Sequence, residues 1–406
     1  MQQAQGKQAS RRSWNVPFSE TEAASVASGT NASGQRAPSS AMETVSRSSL
    51  LAWNPRLTKM GEQIRALGLL SGGLDSTLAA RVIQAQNVEV LGLHFSTGFC
   101  LADRHRILGN RSNPDKPYRN EALRAGADLR IPIEIVDIKD EYLPEVVLNP
   151  KFGYGSGMNP CIDCRIFMLQ KTREIMKDRG YHFVFTGEVL GQRPMSQRRP
   201  PLDDVAEESG LGRLLLRPLS ARLLPESIPE EHGWVDREKL FNISGRSRKR
   251  QMELADQFKI IDYPQPAGGC CSLPDENYAR KLRDFLAHRG TDVTPDDMML
   301  LKVGRHFRLS GDVKMVVGRD QGENTYLERF VQGRTEVWVD DFPSPLTLLE
   351  GQPTAIDLET ACRITARYSD GRNEPTVPVR WRMGEGEGQL TVVPCQNDIE
   401  LEALRI

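Results

Sequence analysis

The chain has 406 residues, a formal net charge of −1 and 39% hydrophobic residues. This length allows two or three domains, and the near-zero charge excludes a globally basic surface, so any nucleic-acid contact must be local. The seven cysteines lack disulfide-scaffold spacing, and no signal peptide or long apolar span occurs, which predicts a cytoplasmic protein without a membrane partner.

Residues 1–60 are rich in Ser, Ala, Gln and Gly and contain few large apolar side chains. Such a segment cannot bury enough surface to fold alone, so it is predicted to be disordered. An alternative is that this extension is mis-assigned and that translation begins at Met60, because MGEQIRALGLL enters the first predicted strand almost at once.

The string SGGLDS lies between an apolar run, IRALGLL, and a helix-like run, TLAARVIQAQ. A glycine-rich turn between a strand and a helix directs free backbone N–H groups at an anion. The serines add hydroxyl donors, and Asp75 is a ligand of the kind that Mg²⁺ prefers. The string therefore predicts that ATP and Mg²⁺ bind at Ser71, Gly72, Gly73, Leu74, Asp75 and Ser76. No G-x4-G-K-[ST] string occurs, which argues against a Walker-type nucleotidase.

Residues 61–290 alternate between short apolar runs and helical stretches. Strands buried on both faces are predicted in IRALGLL, VEVLGLHFST, LRIPIEIVDI and HFVFTGE, and helices in TLAARVIQAQ, residues 118–126 and residues 161–179. This alternation predicts an α/β domain with a parallel sheet. Ligands of such sheets bind at the carboxyl ends of strands, so Gly187, Glu188 and Gln192 are expected beside the nucleotide. An alternative is that Glu188 is buried and only accepts backbone hydrogen bonds.

The second part of this domain is less regular. Residues 200–235 are predicted to be irregular apart from a short strand in LLLRPLS, and residues 236–258 are predicted to be helical. The string SGRSRKR places four cations at a helix start, where they oppose the helix dipole. RNA phosphates would explain them, so phosphate contacts are predicted at Arg246, Arg248, Lys249 and Arg250. The alternative is an ordinary solvated face.

Cysteines occur in two clusters, NPCIDC at the start of the longest predicted helix and GGCC about a hundred residues later. Thiolates are stabilised near the positive end of a helix. We expect Cys161, Cys164 and Cys270 to meet, with Cys271 as an alternative third member. Three thiolates suit an iron–sulfur cluster, an incomplete zinc site or persulfide chemistry, whereas buried structural cysteines are the alternative. The three isolated cysteines and two histidines in predicted strands are interpreted as structural: Cys100, Cys362, Cys395, His94 and His182.

Residues 295–406 are predicted to form a smaller, strand-rich C-terminal domain. Strands are predicted in HFRLS, VKMVVGR, TEVWVDD, CRITARYSD and GQLTVVP. Strand-borne cations near an aromatic ring suit phosphate contacts and base stacking. Phosphate contacts are therefore predicted at Arg305, Arg308, Lys314 and Arg319, with an ordinary solvated surface as the alternative.

The SGGLDS string resembles the PP-loop of the ATP pyrophosphatase superfamily, whose domains have the adenine nucleotide alpha hydrolase-like fold. Together with TGEVLGQ, LLRPLS and the late Cys-Cys pair, it is similar to the tRNA 4-thiouridine synthetase and thiouridylase family. This resemblance implies that ATP adenylates a uridine oxygen of tRNA and that sulfur then displaces AMP. It assigns sulfur transfer to Cys270, and the donor would be a cysteine desulfurase or inorganic sulfide.

Two further resemblances complete this interpretation. The C-x2-C spacing of Cys161 and Cys164 resembles thiolases that bind a [4Fe–4S] cluster through three cysteines. The strings GRHFR and KMVVGR resemble an RNA-binding module of ribosome-quality-control proteins. The alternatives are another PP-loop enzyme that acts on a small molecule, and a non-catalytic protein that binds ATP and RNA.

Overall fold

Two β-sheets organise the chain, a parallel one in its first part and an antiparallel one in its second. The computed structural model describes residues 62–101, 119–264, 269–290 and 292–406, and these belong to one compact unit. The expectations for residues 1–60 lie outside the described residues. No helix in the described part of the chain is both long and apolar enough to cross a bilayer.

The first sheet is entirely parallel and has the strand order β3-β2-β1-β4-β5. Its strands are β1 Arg65–Leu69, β2 Glu89–Ser96, β3 Ile133–Asp137, β4 Phe183–Thr186 and β5 Leu215–Leu216. Strand β1 is central, and Ala66 and Leu67 within it are completely buried. The predicted parallel α/β sheet is thus confirmed.

Helices lie between and after these strands. They are α1 Leu74–Gln84, α2 Glu121–Leu129, α3 Lys139–Tyr142, α4 Cys161–Arg179, α5 Arg199–Glu208, α6 Ile228–Glu231, α7 Lys249–Gln257 and α8 Glu276–Arg289, with a π-helical segment at Leu143–Val147. The bounds of α4 match the predicted helix. Helix α2 is capped by the Asn120 side chain, which accepts hydrogen bonds from the N–H groups of Ala122 and Leu123.

Three details of this first part correct the expectations. Strand β3 is an edge strand with Ile135 49% exposed, and so it is not buried on both faces. Helix α5 lies in the stretch expected to be irregular. Its prolines are compatible with a helix because they occupy the first turn, where a missing N–H costs nothing. Of residues 236–258, only α7 is α-helical.

The second sheet is antiparallel and has the strand order β11-β10-β8-β9-β7-β6. Its strands are β6 Arg305–Arg308, β7 Lys314–Val317, β8 Thr335–Val339, β9 Thr347–Glu350, β10 Val377–Met383 and β11 Gly386–Val392. The helices of this part are α9 Pro295–Leu300, α10 Gln321–Leu327, α11 Ala355–Arg367 and α12 Asp398–Leu404. A separate apolar core lies between this sheet and α11.

The strand predicted in CRITARYSD is wrong, because these residues lie largely in α11. Thr354 and Asp357 form a reciprocal capping box at the start of this helix. Ala361, Cys362 and Thr365 then recur at helical spacing and are buried. The β-branched residues of this segment therefore pack on one face of a helix.

We expect Gly68→Ala to destabilise the protein by about 1–3 kcal/mol, because extra atoms in a packed core cause strain. A Cβ on residue 68 would lie 2.3 Å from the ring of Phe185, which is 1% exposed on the neighbouring strand. Chemical denaturation measures the change. The control is Gly311→Ala, since residue 311 is exposed and a Cβ there meets no atom within 4 Å. Equal effects of the two substitutions would contradict this account of the core.

Candidate active site

The SGGLDS turn joins the carboxyl end of β1 to the first turn of α1, as predicted. Gly72 has a φ of +76° and packs against Glu121 so closely that a Cβ would lie 2.2 Å from its carbonyl carbon. The hydroxyl groups of Ser71 and Ser76 lie 3.2 Å apart, and Ser76 Oγ donates to the carbonyl of Gly73 at 3.0 Å. This geometry leaves backbone N–H groups at the helix N-terminus facing the strand ends, where an anion binds favourably.

The end of β4 packs directly on this turn. A Cβ on Gly187 would lie 2.5 Å from the backbone nitrogen of Ser76, so only glycine fits between β4 and the loop. The side chain of Leu74, in contrast, is 4% exposed and belongs to the apolar core. Leu74 therefore anchors the loop and can meet a nucleotide only through its backbone.

A chain of polar side chains links Asp75 to helix α7. Gln192 Nε2 donates to Asp75 Oδ2 at 2.6 Å, and Gln251 Nε2 donates to Gln192 Oε1 at 3.0 Å. Arg248 Nη2 lies 3.8 Å from Asp75 Oδ2. Arg248 therefore faces the ATP loop, and its predicted contact with RNA phosphate stays a prediction.

The carboxylate of Asp75 is incompletely satisfied. Its Oδ1 atom is buried and has no hydrogen-bond partner in the described structure. A buried carboxylate oxygen without a donor fits a hard cation such as Mg²⁺, which takes one or two carboxylates together with phosphate oxygens. The residues present therefore fit the predicted Mg²⁺ ligand at this position.

Glu188 lies at the centre of a buried ion-pair network. It is 2% exposed, and its carboxylate lies 3.1 Å from Arg217 Nε and 3.6 Å from Arg165 Nη1. Burial opposes ionisation, but the charges of Arg217 and Arg165 and a hydrogen bond from Thr186 outweigh it, so the pKa of Glu188 lies below its usual value. Glu188 is therefore a charged structural residue that holds two arginines.

Cys161 and Cys164 occupy the first turn of α4, as predicted. The Cys161 thiol donates to Asn159 Oδ1 at 3.0 Å, and burial raises its pKa. Burial, together with the nearby charge of Cys270, raises the pKa of Cys164 to about 12, although a hydrogen bond with the Tyr142 hydroxyl opposes this rise. Both thiols are therefore neutral at physiological pH.

Cys270 differs from its neighbours because it is exposed and carries the charge. A hydrogen bond from the Cys271 thiol and the cationic groups of Arg165 and Arg193 outweigh partial desolvation and lower the pKa of Cys270 to about 5. The same hydrogen bond raises the pKa of Cys271. Arg165 lies close enough to interact electrostatically with Cys161, Cys164 and Cys270, so this arginine faces the three predicted cysteines.

A further feature of the thiol site is how its side chains are arranged as possible metal ligands. Within residues 62–101, 119–264, 269–290 and 292–406, no group of three or more His, Cys, Asp or Glu side chains is arranged to hold a metal ion. The arrangement in this structure therefore does not fit a [4Fe–4S] or zinc site.

Two protein-family models match the chain. Residues 65–198 match the tRNA methyl transferase HUP domain, and residues 304–403 match the NFACT protein RNA binding domain. Residues 65–198 thus resemble a PP-loop HUP domain, and residues 304–403 resemble an NFACT RNA-binding domain. The family resemblances stated for these two regions are confirmed.

Several curated proteins are similar to this chain, among them three that are each named tRNA-specific 2-thiouridylase MnmA. The protein of Petrotoga mobilis is 30% identical over 135 residues, which are 31% of this chain and 35% of the relative. That of Dehalococcoides mccartyi is 26% identical over 54% of this chain and 56% of the relative. That of Corynebacterium kroppenstedtii is 28% identical over 64% of each chain. The chain thus spans between about a third and just under two thirds of these relatives' length.

Two solved structures resemble the chain more distantly. A 4-thiouridine synthetase–RNA complex with bound ATP has a TM-score of 0.29 and 18% identity, and the match covers 48% of this chain and 51% of the other. The U34-tRNA thiolase NcsA from Methanococcus maripaludis, with its [4Fe-4S] cluster, has a TM-score of 0.27 and 17% identity over 59% of this chain and 70% of the other.

Three of the four predicted phosphate-binding cations are exposed just before or at the start of α7, beyond the residues that match the HUP domain: Arg246, Lys249 and Arg250. Arg250 pairs with Glu253 one turn later. These residues lie near the strand-end face, since Gly245 N donates to Leu190 O at 2.8 Å in the segment that follows β4.

In the NFACT RNA-binding domain, the four predicted RNA contacts are engaged within the protein. The guanidinium of Arg305 stacks 4.4 Å from the centre of the Tyr368 ring. Lys314 is 3% exposed, and burial lowers its pKa to about 8. Its burial corrects the expectation of an accessible phosphate contact there. The other two cations are held by carboxylates, in the pairs Arg308–Asp284 and Arg319–Glu323.

Sequence reasoning missed four side chains that complete the site: Arg165, Arg193, Gln251 and Cys271 as a hydrogen-bond donor. Arg165 carried a usable signal, because it follows Cys161 by four residues and so shares its helix face. Gln251 carried none, since its contact with Gln192 joins residues 59 positions apart. The predicted structural roles of two histidines hold: His94 Nδ1 lies 3.0 Å from Leu70 O, and His182 Nδ1 accepts from the Arg65 N–H.

We expect Cys270 to react with iodoacetamide at a rate that rises with pH and is half-maximal near pH 5, because only the thiolate reacts. Replacement Cys271→Ala removes the donor that lowers this pKa, so the midpoint should move to higher pH. Mass spectrometry of the Cys270 peptide measures the rate. Cys362→Ser serves as the control, since Cys362 is buried in the other domain. A midpoint that is unchanged in Cys271→Ala would refute this role of Cys271.

Proposed function

We propose that this protein is an ATP-dependent tRNA thiolation enzyme that activates a uridine oxygen as an adenylate and replaces it with sulfur. One observation carries the proposal, namely that the Cys270 thiolate and the ATP loop are connected through two charged residues. The thiolate faces Arg165, and Arg165 pairs with Glu188. Glu188 directly follows the glycine that packs on the ATP loop. A sulfur nucleophile and a phosphate-binding loop thus share one set of buried charges. Few other chemistries need both groups at one site.

The ATP half of the reaction uses the carboxyl edge of the parallel sheet. Backbone N–H groups of Gly73 and the first turn of α1 would hold the phosphates, with the hydroxyls of Ser71 and Ser76 as further donors. Asp75 would hold Mg²⁺, which neutralises phosphate charge when it is bound. The uridine oxygen attacks the α-phosphorus of ATP, a P–O bond forms, and pyrophosphate leaves. Arg248 is placed to pair with the phosphate that remains.

The sulfur half of the reaction centres on Cys270. A cysteine desulfurase or inorganic polysulfide loads it as a persulfide, and the terminal sulfur attacks the uridine carbon that carries AMP. A C–S bond forms, the C–O bond breaks, and AMP leaves with the electron pair. Because the Cys270 charge that opposed their ionisation is then gone, Cys161 or Cys164 loses its proton to solvent. The resulting thiolate attacks Cys270 Sγ, so that the S–S bond to the new thiouridine breaks. The resulting protein disulfide is reset by a dithiol reductant.

The relatives support this reaction and indicate which uridine oxygen is replaced. The curated relatives are named 2-thiouridylases, which favours the O2 atom of uridine over the O4 atom that the 4-thiouridine synthetase resemblance implies. An RNA-binding domain beside the catalytic domain suits a reaction on a base that must be unstacked from folded tRNA. Both points favour tRNA over a small-molecule substrate.

Nucleoside mass spectrometry tests the proposal. Purified protein, ATP, a persulfide source and unmodified tRNA should give thiouridine, with one AMP and one pyrophosphate for each sulfur inserted. Cys270→Ser should retain pyrophosphate release for one turnover and form no thiouridine, since only the sulfur step is lost. Asp75→Asn should lose both products, because the cation ligand is removed.

Matched controls make these outcomes specific. Cys362→Ser and Asp178→Asn change the same residue types away from the site, and both should be fully active. Pyrophosphate release that needs a small molecule and ignores tRNA would favour the alternative PP-loop enzyme. ATP binding without any turnover would favour the non-catalytic alternative, and either result would overturn the proposal.

We expect Arg246, Lys249 and Arg250 to contact tRNA phosphate. Replacing all three with Gln should weaken tRNA binding similarly for every tRNA sequence and reduce the slope of log affinity against log salt by about 2 to 3. Filter binding at several salt concentrations measures this slope. A control triple variant removes three exposed lysines elsewhere: Lys177, Lys239 and Lys259. An equal loss in both variants would show that only net charge matters.

A further inference from the structure

A short β-bridge joins the two loops that flank the thiol site. Cys100, just after β2, lies opposite Cys271 in antiparallel orientation. The backbone hydrogen bonds run from Leu101 N to Cys270 O at 3.4 Å and from Ser272 N to Phe99 O at 3.0 Å. Because these bonds flank the pair, Cys100 and Cys271 form a non-hydrogen-bonded pair, the closer of the two kinds of antiparallel pair.

The geometry of such a pair suits a covalent link. In a non-hydrogen-bonded pair the Cα atoms lie about 4.5 Å apart and both side chains project from the same face. Disulfides join cysteines whose Cα atoms are about 4.4–6.8 Å apart. The Sγ atoms of Cys100 and Cys271 can therefore meet by side-chain rotation, with little movement of the backbone.

The backbone around this pair is held in place. Ser272 is 8% exposed, and its hydroxyl donates to Phe99 O at 3.2 Å. Lys302 Nζ donates to Gly98 O at 2.6 Å and so fixes the turn before Cys100. Cys271 also donates a hydrogen bond to Cys270. The pair therefore combines fixed backbone geometry with a position beside the nucleophile.

We propose that Cys100 and Cys271 form a reversible cross-strand disulfide, with a low-molecular-weight disulfide as the oxidant. One of the two thiolates attacks the small disulfide, so that a mixed disulfide forms and one small thiolate leaves. The second cysteine then attacks the protein sulfur of that mixed disulfide, and the second small thiolate leaves. Two electrons pass to the small disulfide, and the two protons of the cysteines pass to the released thiolates.

This disulfide is distinct from the one formed during the proposed thiolation, which links Cys270 to a thiol of α4. It consumes the Cys271 thiol and so removes the hydrogen bond that Cys270 receives. Because it forms without ATP or tRNA, its existence does not depend on the proposed function. Its effect on sulfur transfer does rest on that function.

Peptide mapping of the full chain tests the proposal. The protein is incubated with oxidised glutathione, without ATP and tRNA, alkylated, digested with trypsin and analysed by mass spectrometry. We expect a linked peptide pair that contains Cys100 and Cys271, with a mass lower by two hydrogen atoms and restored by dithiothreitol. Because residues 270 and 271 share a peptide, the experiment is repeated with Cys270→Ser, in which the same link should still form.

The variants define the contradicting outcomes. Cys100→Ser should lose the link and accumulate a glutathione adduct, whereas Cys395→Ser, a change in the other domain, should keep it. A link from Cys100 that disappears in Cys270→Ser would overturn the proposal, as would glutathione adducts on unlinked Cys100 and Cys271 in the wild-type chain. If a variant does not fold, fragment-ion sequencing of the linked wild-type peptides identifies which of residues 270 and 271 is joined to Cys100. Reduced protein that forms this link on oxidation but does not thiolate tRNA would contradict only the proposed function.

Discussion

The arrangement of the site depends on one close approach, between Gly187 at the end of β4 and the backbone of Asp75 and Ser76. There is no room for a Cβ at residue 187, so β4 can end against the phosphate loop only because this residue has no side chain. The next residue, Glu188, is thereby held beside the loop. Its ion pairs reach α4 through Arg165 and the end of β5 through Arg217. A single contact between the end of β4 and the first turn of α1 thus positions both the ATP loop and the charges that face the thiols.

The charges around Glu188 explain why only one cysteine ionises. Two guanidinium groups face one buried carboxylate, which leaves an excess positive charge that a thiolate can balance. Cys270 takes this role because it is exposed and receives a hydrogen bond from Cys271. Its charge then opposes ionisation of Cys164, which is buried. The site therefore favours one sulfur anion at a time, which suits a persulfide nucleophile.

Local patterns predicted much of this structure, and long-range contacts account for most of what they missed. The parallel strands and α4 follow from apolar runs and from Pro160 before a helical stretch, and the ATP loop follows from its glycines. Helix α11 was mistaken for a strand because its β-branched residues outweighed the capping signal of Thr354 and Asp357. Cys100 looked isolated, since its partner Cys271 is 171 positions away and no periodicity connects them. Such pairings become visible only once the sheet has assembled.

The contacts of basic residues in the second domain also could not be predicted from local sequence, because their partners lie far away along the chain. An arginine on a strand looks like an RNA contact, yet Arg308 pairs with Asp284 of α8. Lys302, which precedes β6, donates to Gly98, which follows β2. Both contacts fasten the antiparallel part of the chain to the parallel part. Because the Lys302 contact lies two residues before Cys100, the segment that leads into the RNA-binding domain is held at the thiol site itself. Under the proposed function, RNA bound by that domain would be held at a fixed distance from the sulfur nucleophile, and these cations would contribute to substrate positioning without contacting RNA.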